Sequence, residues 1–214
     1  SYAWMIIFAV IAAIMVLIGL YHIRMLPSNQ IPSTTKKTTS EVGRELVVVI
    51  ANFFTKKHIF YCICFIILYR LAEGFIMKIA PLFLRASREV GGLGLSLKEI
   101  GTLNGVFGSA AFVLGSLLAG IYVSKFGLKR TLFTLCCIFN LPFLAYTFLA
   151  VTQPTNVYLI GTCITMEYFG YGFGFVGLTL FMMQQIAPGK HQMSHYAFAS
   201  GIMNLGVMLP GMVS

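Results

Sequence analysis

Residues 59–84 read IFYCICFIILYRLAEGFIMKIAPLFL. The stretch is long enough to cross about 30 Å of hydrocarbon, and its only charges are Arg70, Glu73 and Lys78. With no water in a bilayer core to satisfy the backbone, an α-helix is the expected form. Strict apolar/polar alternation is absent, which argues against an outer-membrane barrel. Charges within such a span are costly and usually face a cavity or one another. Arg70 and Glu73 are three apart and share one helix face. Glu73 falls about 22 Å along the helix from His58, near or just past the midplane, at about 1.5 Å per residue. Lys78 lies nearer the far end, within snorkelling reach of the interface.

The same pattern recurs on both sides. Five further apolar segments are predicted at about 2–21, 100–123, 131–151, 157–186, and from Tyr196 onward. The chain is 58% hydrophobic and 10% charged, and its net charge is +9. Mean hydropathy is +0.86. A soluble domain carries about 25% charged residues, so lipid is the natural solvent and the expected fold class is an all-α transmembrane helical bundle. The positive charge gathers at segment ends, with no basic face interleaved with aromatics, which argues against a nucleic-acid partner. Cys62, Cys64, Cys136, Cys137 and Cys163 lie in apolar stretches without zinc-like spacing to histidine, so neither a metal nor a cofactor is expected. No signal peptide is visible, and both ends of the chain fall within or beside apolar runs, which leads us to expect further segments on either side.

Loop charge sets the expected orientation. The loops at 22–57, 124–130 and 187–195 hold six, three and one Lys or Arg, against three and none for those at 85–99 and 152–156. The first set is expected to be cytoplasmic, with the 85–99 loop dissenting. Pro27 to Ser40 is rich in Pro, Ser, Thr and Lys and suits a tether. Glu41 to Phe54 is expected to form a helix on the inner membrane surface.

A second intramembrane acid, Glu167, sits in MEYFGYGFGFVG at 166–177. It falls about 16 Å along its helix from Asn156, near the midplane, and no basic residue accompanies it on that helix. A carboxyl so placed is suited to taking up and releasing a proton. Tyr168 and Tyr171 flank it. The glycines at 170, 172, 174 and 177 permit either close packing or a bend around a ligand, and Gly170 with Gly174 forms a GxxxG pair. The segments bearing Glu73 and Glu167 begin three spans apart and run in opposite directions, as an inverted repeat would place them. Asn104, Gln184, Gln185 and Asn204 are read as interhelical hydrogen-bonding groups, and His191 with His195 as an interfacial pair. No mid-span histidine is present to serve an acyltransferase-type enzyme, the first rival reading. A facilitator or channel for sugars or other solutes is the second; neither a filter loop nor a ring of charge is evident.

The turn Gly120-Ile-Tyr-Val-Ser124-Lys125-Phe-Gly127-Leu128-Lys129-Arg130 resembles the cytoplasmic motif of the major facilitator superfamily, Gly-x-x-x-Asp-Arg-x-Gly-Arg-Lys/Arg. Gly120, Lys125, Gly127 and Lys129 fit, with Arg130 beside them. Ser124 and Leu128 depart from it, as suits the second copy of the motif. The resemblance implies that residues 1–24 are a sixth helix, 25–57 the cytoplasmic inter-domain linker, and 58–214 helices seven to eleven of a C-terminal half that packs against an N-terminal half. From Glu167 through Gly172 and Gly174, Pro188-Gly189-Lys190, Tyr196-Ala197, Ser200, Gly206 and Pro210-Gly211, the chain looks like the AmpG-type muropeptide permeases and related acetyl-CoA transporters. That resemblance implies a multi-pass inner-membrane symporter carrying protons with a small solute, muropeptide-like in that branch. It also puts Arg70, Glu73 and Glu167 at the central cavity; with Lys78, Tyr168 and Tyr171 they make up the candidate substrate and proton pathway, and Gly120, Lys125, Gly127, Lys129 and Arg130 the candidate conformational loop.

Overall fold

The computed structural model describes residues 2–25 and 38–213; most of the tether predicted at Pro27 to Ser40 lies outside them. Every regular element among the described residues is helical, in keeping with the all-α transmembrane class. The chain divides into two compact units, Ser1–Gly43 and Arg44–Ser214.

The first unit is dominated by α1 (Tyr2–Met25), which buries no residue of its own. It is apolar on every side and long enough to cross a membrane. A helix of that kind has lipid as its solvent. The start of α2 (Thr39–Phe54) also falls here, its Glu41 carboxylate accepting the Thr38 N–H at 2.9 Å.

The second unit is a helical bundle built around α8 (Val157–Phe181). The rest of α2 leads through a turn at His58, whose φ of 61° is left-handed, into α3 (Ile59–Arg85). A short α4 (Leu97–Thr102) continues through a π-helical turn, Leu103–Gly108, into α5 (Ser109–Phe126). Only Gly127 separates α5 from α6 (Leu128–Asn140); its φ of 77° reverses the chain where other residues would be strained. Pro142 turns the predicted fourth span into two pieces, α6 and α7 (Leu144–Thr152), joined at Leu141–Phe143. A second π turn, Met182–Ile186, ends α8. It is followed by α9 (Gln192–Met208) and α10 (Pro210–Val213).

Four described segments are long and apolar enough to cross a membrane: Tyr2–Met25, Ile59–Arg85, Leu97–Phe126 and Leu128–Thr152. The remaining two predicted spans are also helical, but glycines, tyrosines and Glu167 dilute the hydropathy of α8, and α9 is only 17 residues long. α8 can be less apolar because protein surrounds it: its buried residues run from Ile160 to Leu178, and α5 and α6 are its main neighbours. α3 packs chiefly on α9.

Glycine makes this centre possible. A Cβ on Gly172 would sit 2.1 Å from the Phe112 carbonyl oxygen, and one on Gly170 would sit 2.5 Å from that of Ile138. One on Gly174 would lie 2.3 Å from Phe139 Cβ. The glycine run therefore serves close helix packing rather than a bend, and α8 stays continuous through it.

Two clamps fix the ends. At one end Arg88 donates to the carbonyls of Gln153 and Pro154, each at 2.9 Å, and Gln153 Nε2 donates back to the Gly91 carbonyl at 2.9 Å. Arg88, one of the three cations of the dissenting 85–99 loop, is thus held in a loop-to-loop contact. At the other end the Lys56 ammonium donates to the carbonyls of Ile186 and of Pro188, the latter at 2.8 Å.

Candidate functional site

α3 places Tyr69, Arg70 and Glu73 on its buried side because they follow Ile59 and Ile66 at intervals of three, four and seven. The guanidinium and carboxylate form a forked pair, Nε to Oε2 at 2.6 Å and Nη2 to Oε1 at 2.5 Å. Arg70 is 6% exposed and Glu73 2%. Each charge taken from water is thereby compensated within one turn of the same helix, and removing either would strand the other. The guanidinium lies over the Phe175 ring of α8, its Cζ 5.5 Å from the ring centroid.

α8 supplies the facing groups. Tyr171 reaches across toward Glu73 and packs its ring between Phe112, Phe139 and Phe175, at 5.1, 5.7 and 5.8 Å. One turn earlier Glu167 is buried. It is close enough to Glu73 for the two charges to act on each other, and its polar contact is Tyr146 of α7. A phenol there can donate to the carboxylate or accept from the carboxylic acid, so it serves both forms. Tyr168 lies beside Glu167, with its ring packed over Gly108. Arg70, Glu73, Glu167, Tyr168 and Tyr171 therefore belong to one region where α3 and α8 meet.

Lys78 does not join it. It is exposed, and its chain runs against Gly211. Tyr146 was not singled out from sequence; the available signal was a hydroxyl within an otherwise apolar segment, which needs a partner when buried. The Gly120–Arg130 residues are separate from this region: Gly120, Lys125, Gly127, Lys129 and Arg130 are all exposed around the α5–α6 reversal, and the Ser124 hydroxyl donates to the Ile121 carbonyl of its own helix, at 2.8 Å. Leu128, at the position where the motif carries arginine, is buried against Val123 and Leu135.

Two cavities flank α8. The larger, about 1080 Å³, opens between the Leu103–Gly108 turn, α5 and α8, and is lined by Leu103, Phe107, Leu114, Met166 and Phe169. Glu167 is not on its wall. The smaller, about 240 Å³, is lined by Ser109, Phe112, Val113, Tyr168 and Tyr171, so it adjoins the two predicted tyrosines. Among the described residues no group of three or more ligand-type side chains could hold a metal ion.

The chain is 22% identical over 183 residues to the anhydromuropeptide permeases of Escherichia coli strain K12 and of Escherichia coli O157:H7. The alignment covers 86% of this chain but 36% of each relative, so the chain spans about a third of the length of the curated relatives it matches. The sequence profile of the Major Facilitator Superfamily matches residues 1–214. With several membrane-length helices and a match over its whole length, this chain belongs to the Major Facilitator Superfamily of multi-pass membrane transporters.

Proposed function

We propose that the full-length protein is a proton-coupled symporter of the cell inner membrane, carrying a small polar solute of the muropeptide-like, sugar-peptide class. In this reading residues 1–24 are the last helix of a first half, 25–57 a cytoplasmic linker, and 58–214 the opening helices of a second half. The solute path runs between the halves, and Arg70, Glu73, Glu167, Tyr168 and Tyr171 border it.

The observation that supports this most is the division of labour between two buried acids. Glu73 has its counter-ion one turn away, so its charge is spent on Arg70. Glu167 has no cation on its own helix and has a tyrosine as its polar contact. Proton uptake by Glu167 removes a buried like charge beside Glu73, whereas proton uptake by Glu73 would strand Arg70. Glu167 is thus the acid that can load and unload at lower cost. The solute class rests on the named relatives, both anhydromuropeptide permeases.

The test is uptake of a radiolabelled anhydromuropeptide into vesicles holding the full-length protein. Accumulation driven by an inward pH gradient, and abolished when that gradient is collapsed, is the expected result. Entry that never exceeds equilibrium points to a facilitator. Accumulation of a different solute under the same gradient keeps the proton coupling and replaces the solute.

A further inference from the structure

The end of α2 lies as a strap across the junction between α8 and α9. Val49 and Phe53, one turn apart on one face, are both buried. The Phe53 ring packs 5.8 Å from that of His195 and 5.7 Å from that of Phe198. His195 Nε2 lies 3.3 Å from the Val49 carbonyl oxygen and donates to it as the Nε2–H tautomer. Immediately after the strap, Lys56 holds the Ile186 and Pro188 carbonyls at the end of α8. These acceptors are the kind a helix end leaves open.

His195 is buried, and its Nδ1 has no hydrogen-bond partner among the described residues. In the neutral ring that atom is a lone pair, tolerable against Phe53. In the imidazolium it becomes an N–H donor with no acceptor among the described residues, at the cost of a buried unsatisfied group. The surrounding charges add to this. The Lys56 ammonium and His191, whose ring is 6.0 Å away, both oppose a cation here, while Glu45 lies one turn before Val49 on the strap. His195 lies just before the predicted start of the last span at Tyr196. Burial, then the Lys56 cation, hold its imidazole below the ordinary value, and burial likewise lowers the Lys56 ammonium.

We propose that α2 is a pH-sensitive strap, pinned over the α8–α9 junction by neutral His195 and released over Arg44–Phe54 when that histidine takes a proton. The sign follows from the docked ring being harder to protonate than a free one. Docking is complete at alkaline pH and weakens as pH falls below the free imidazole value of about 6.5. Release would free the chain that precedes α3, whichever solute the protein carries.

The full-length protein in phospholipid nanodiscs provides the test, with no solute added. Amide exchange over residues 44–54, corrected for the pH dependence of free amides, should accelerate severalfold between pH 7.5 and 5.5, up to the limit of about tenfold that one proton with a free value of about 6.5 allows, while α8 stays unchanged. In His195→Gln, which keeps an N–H donor but does not titrate, protection should persist at both values; His195→Phe, uncharged and stacked on Phe53, gives a second non-titrating version. In protein labelled with ¹³C in its histidine rings, the His195 resonance should titrate with the same midpoint as strap release. A strap equally protected at both pH values in the wild type overturns the proposal. So does equal acid loosening in both variants, or a His195 midpoint that differs from that of release.

Discussion

Tyr69 of α3 donates its hydroxyl to the Gly174 carbonyl of α8, 2.8 Å away, beside the Arg70–Glu73 pair. On another side of α8, Ser116 of α5 donates to the Gly172 carbonyl at 3.1 Å. The glycine segment is therefore pinned from two helices through its own backbone. Tyr69→Phe removes the bond and keeps the ring against Phe139. The expected loss is about 1 kcal/mol, typical of one hydrogen bond, read as a lower unfolding midpoint in detergent with transport retained.

Gly172→Ala should be far more damaging than its size suggests. The added carbon would meet the Phe112 carbonyl at 2.1 Å, which is backbone and cannot swing aside. A loss of about 1–3 kcal/mol or more is expected from overpacking. Gly105→Ala, where nothing lies within 4 Å, should be tolerated. Comparing the thermal stabilities of the two purified variants checks this; equal midpoints would mean α8 does not pack as described.

Arg70 and Glu73 should behave as a unit. Arg70→Ala leaves a buried carboxylate without its partner and is expected to cost about 3–5 kcal/mol, with Glu73→Ala similar. The double variant should be less impaired than the sum of the two. Folded yield and unfolding midpoint across the cycle give the coupling, and simple additivity would show that the pair is not an energetic unit.

Glu167→Gln imitates the protonated acid in shape and should separate exchange from accumulation. Uphill uptake driven by a pH gradient should be lost, while solute exchange across the membrane, which needs no net proton movement, should survive. Full pH-driven accumulation at normal expression would move the proton-carrying role to Glu73 or to a residue outside this chain.

Orientation is checked at the α5–α6 reversal. In a version lacking native cysteines, Ser124→Cys should react in inverted vesicles and resist an impermeant thiol reagent in intact cells. Labelling from outside would reverse the assignment made from loop charge.

The spans were legible in sequence because each rests on a local property. A run of apolar residues long enough for a bilayer must satisfy its backbone by itself, so composition alone yields the six helical spans, though not the break at Pro142 that divides the fourth into α6 and α7, and a spacing of three alone puts Arg70 and Glu73 on one face. Gly127 was legible only as part of the Gly120–Arg130 motif; that its left-handed φ makes the reversal between α5 and α6 came from the structure. What sequence could not decide was how far apart residues fall in space. Whether glycines 170 to 177 bend a helix or pack it depends on which backbones approach, and only the Phe112 and Ile138 carbonyls settle that in favour of packing. Lys78 shares a helix with Arg70 yet lies outside the charged region, because eight residues carry it along the helix to an exposed position. Tyr146 meets Glu167, and His195 meets Val49, through contacts between elements far apart in the chain, where hydrophobic periodicity carries no information about partners. Those pairings follow from the packing of whole helices, so they exist only once the tertiary structure does.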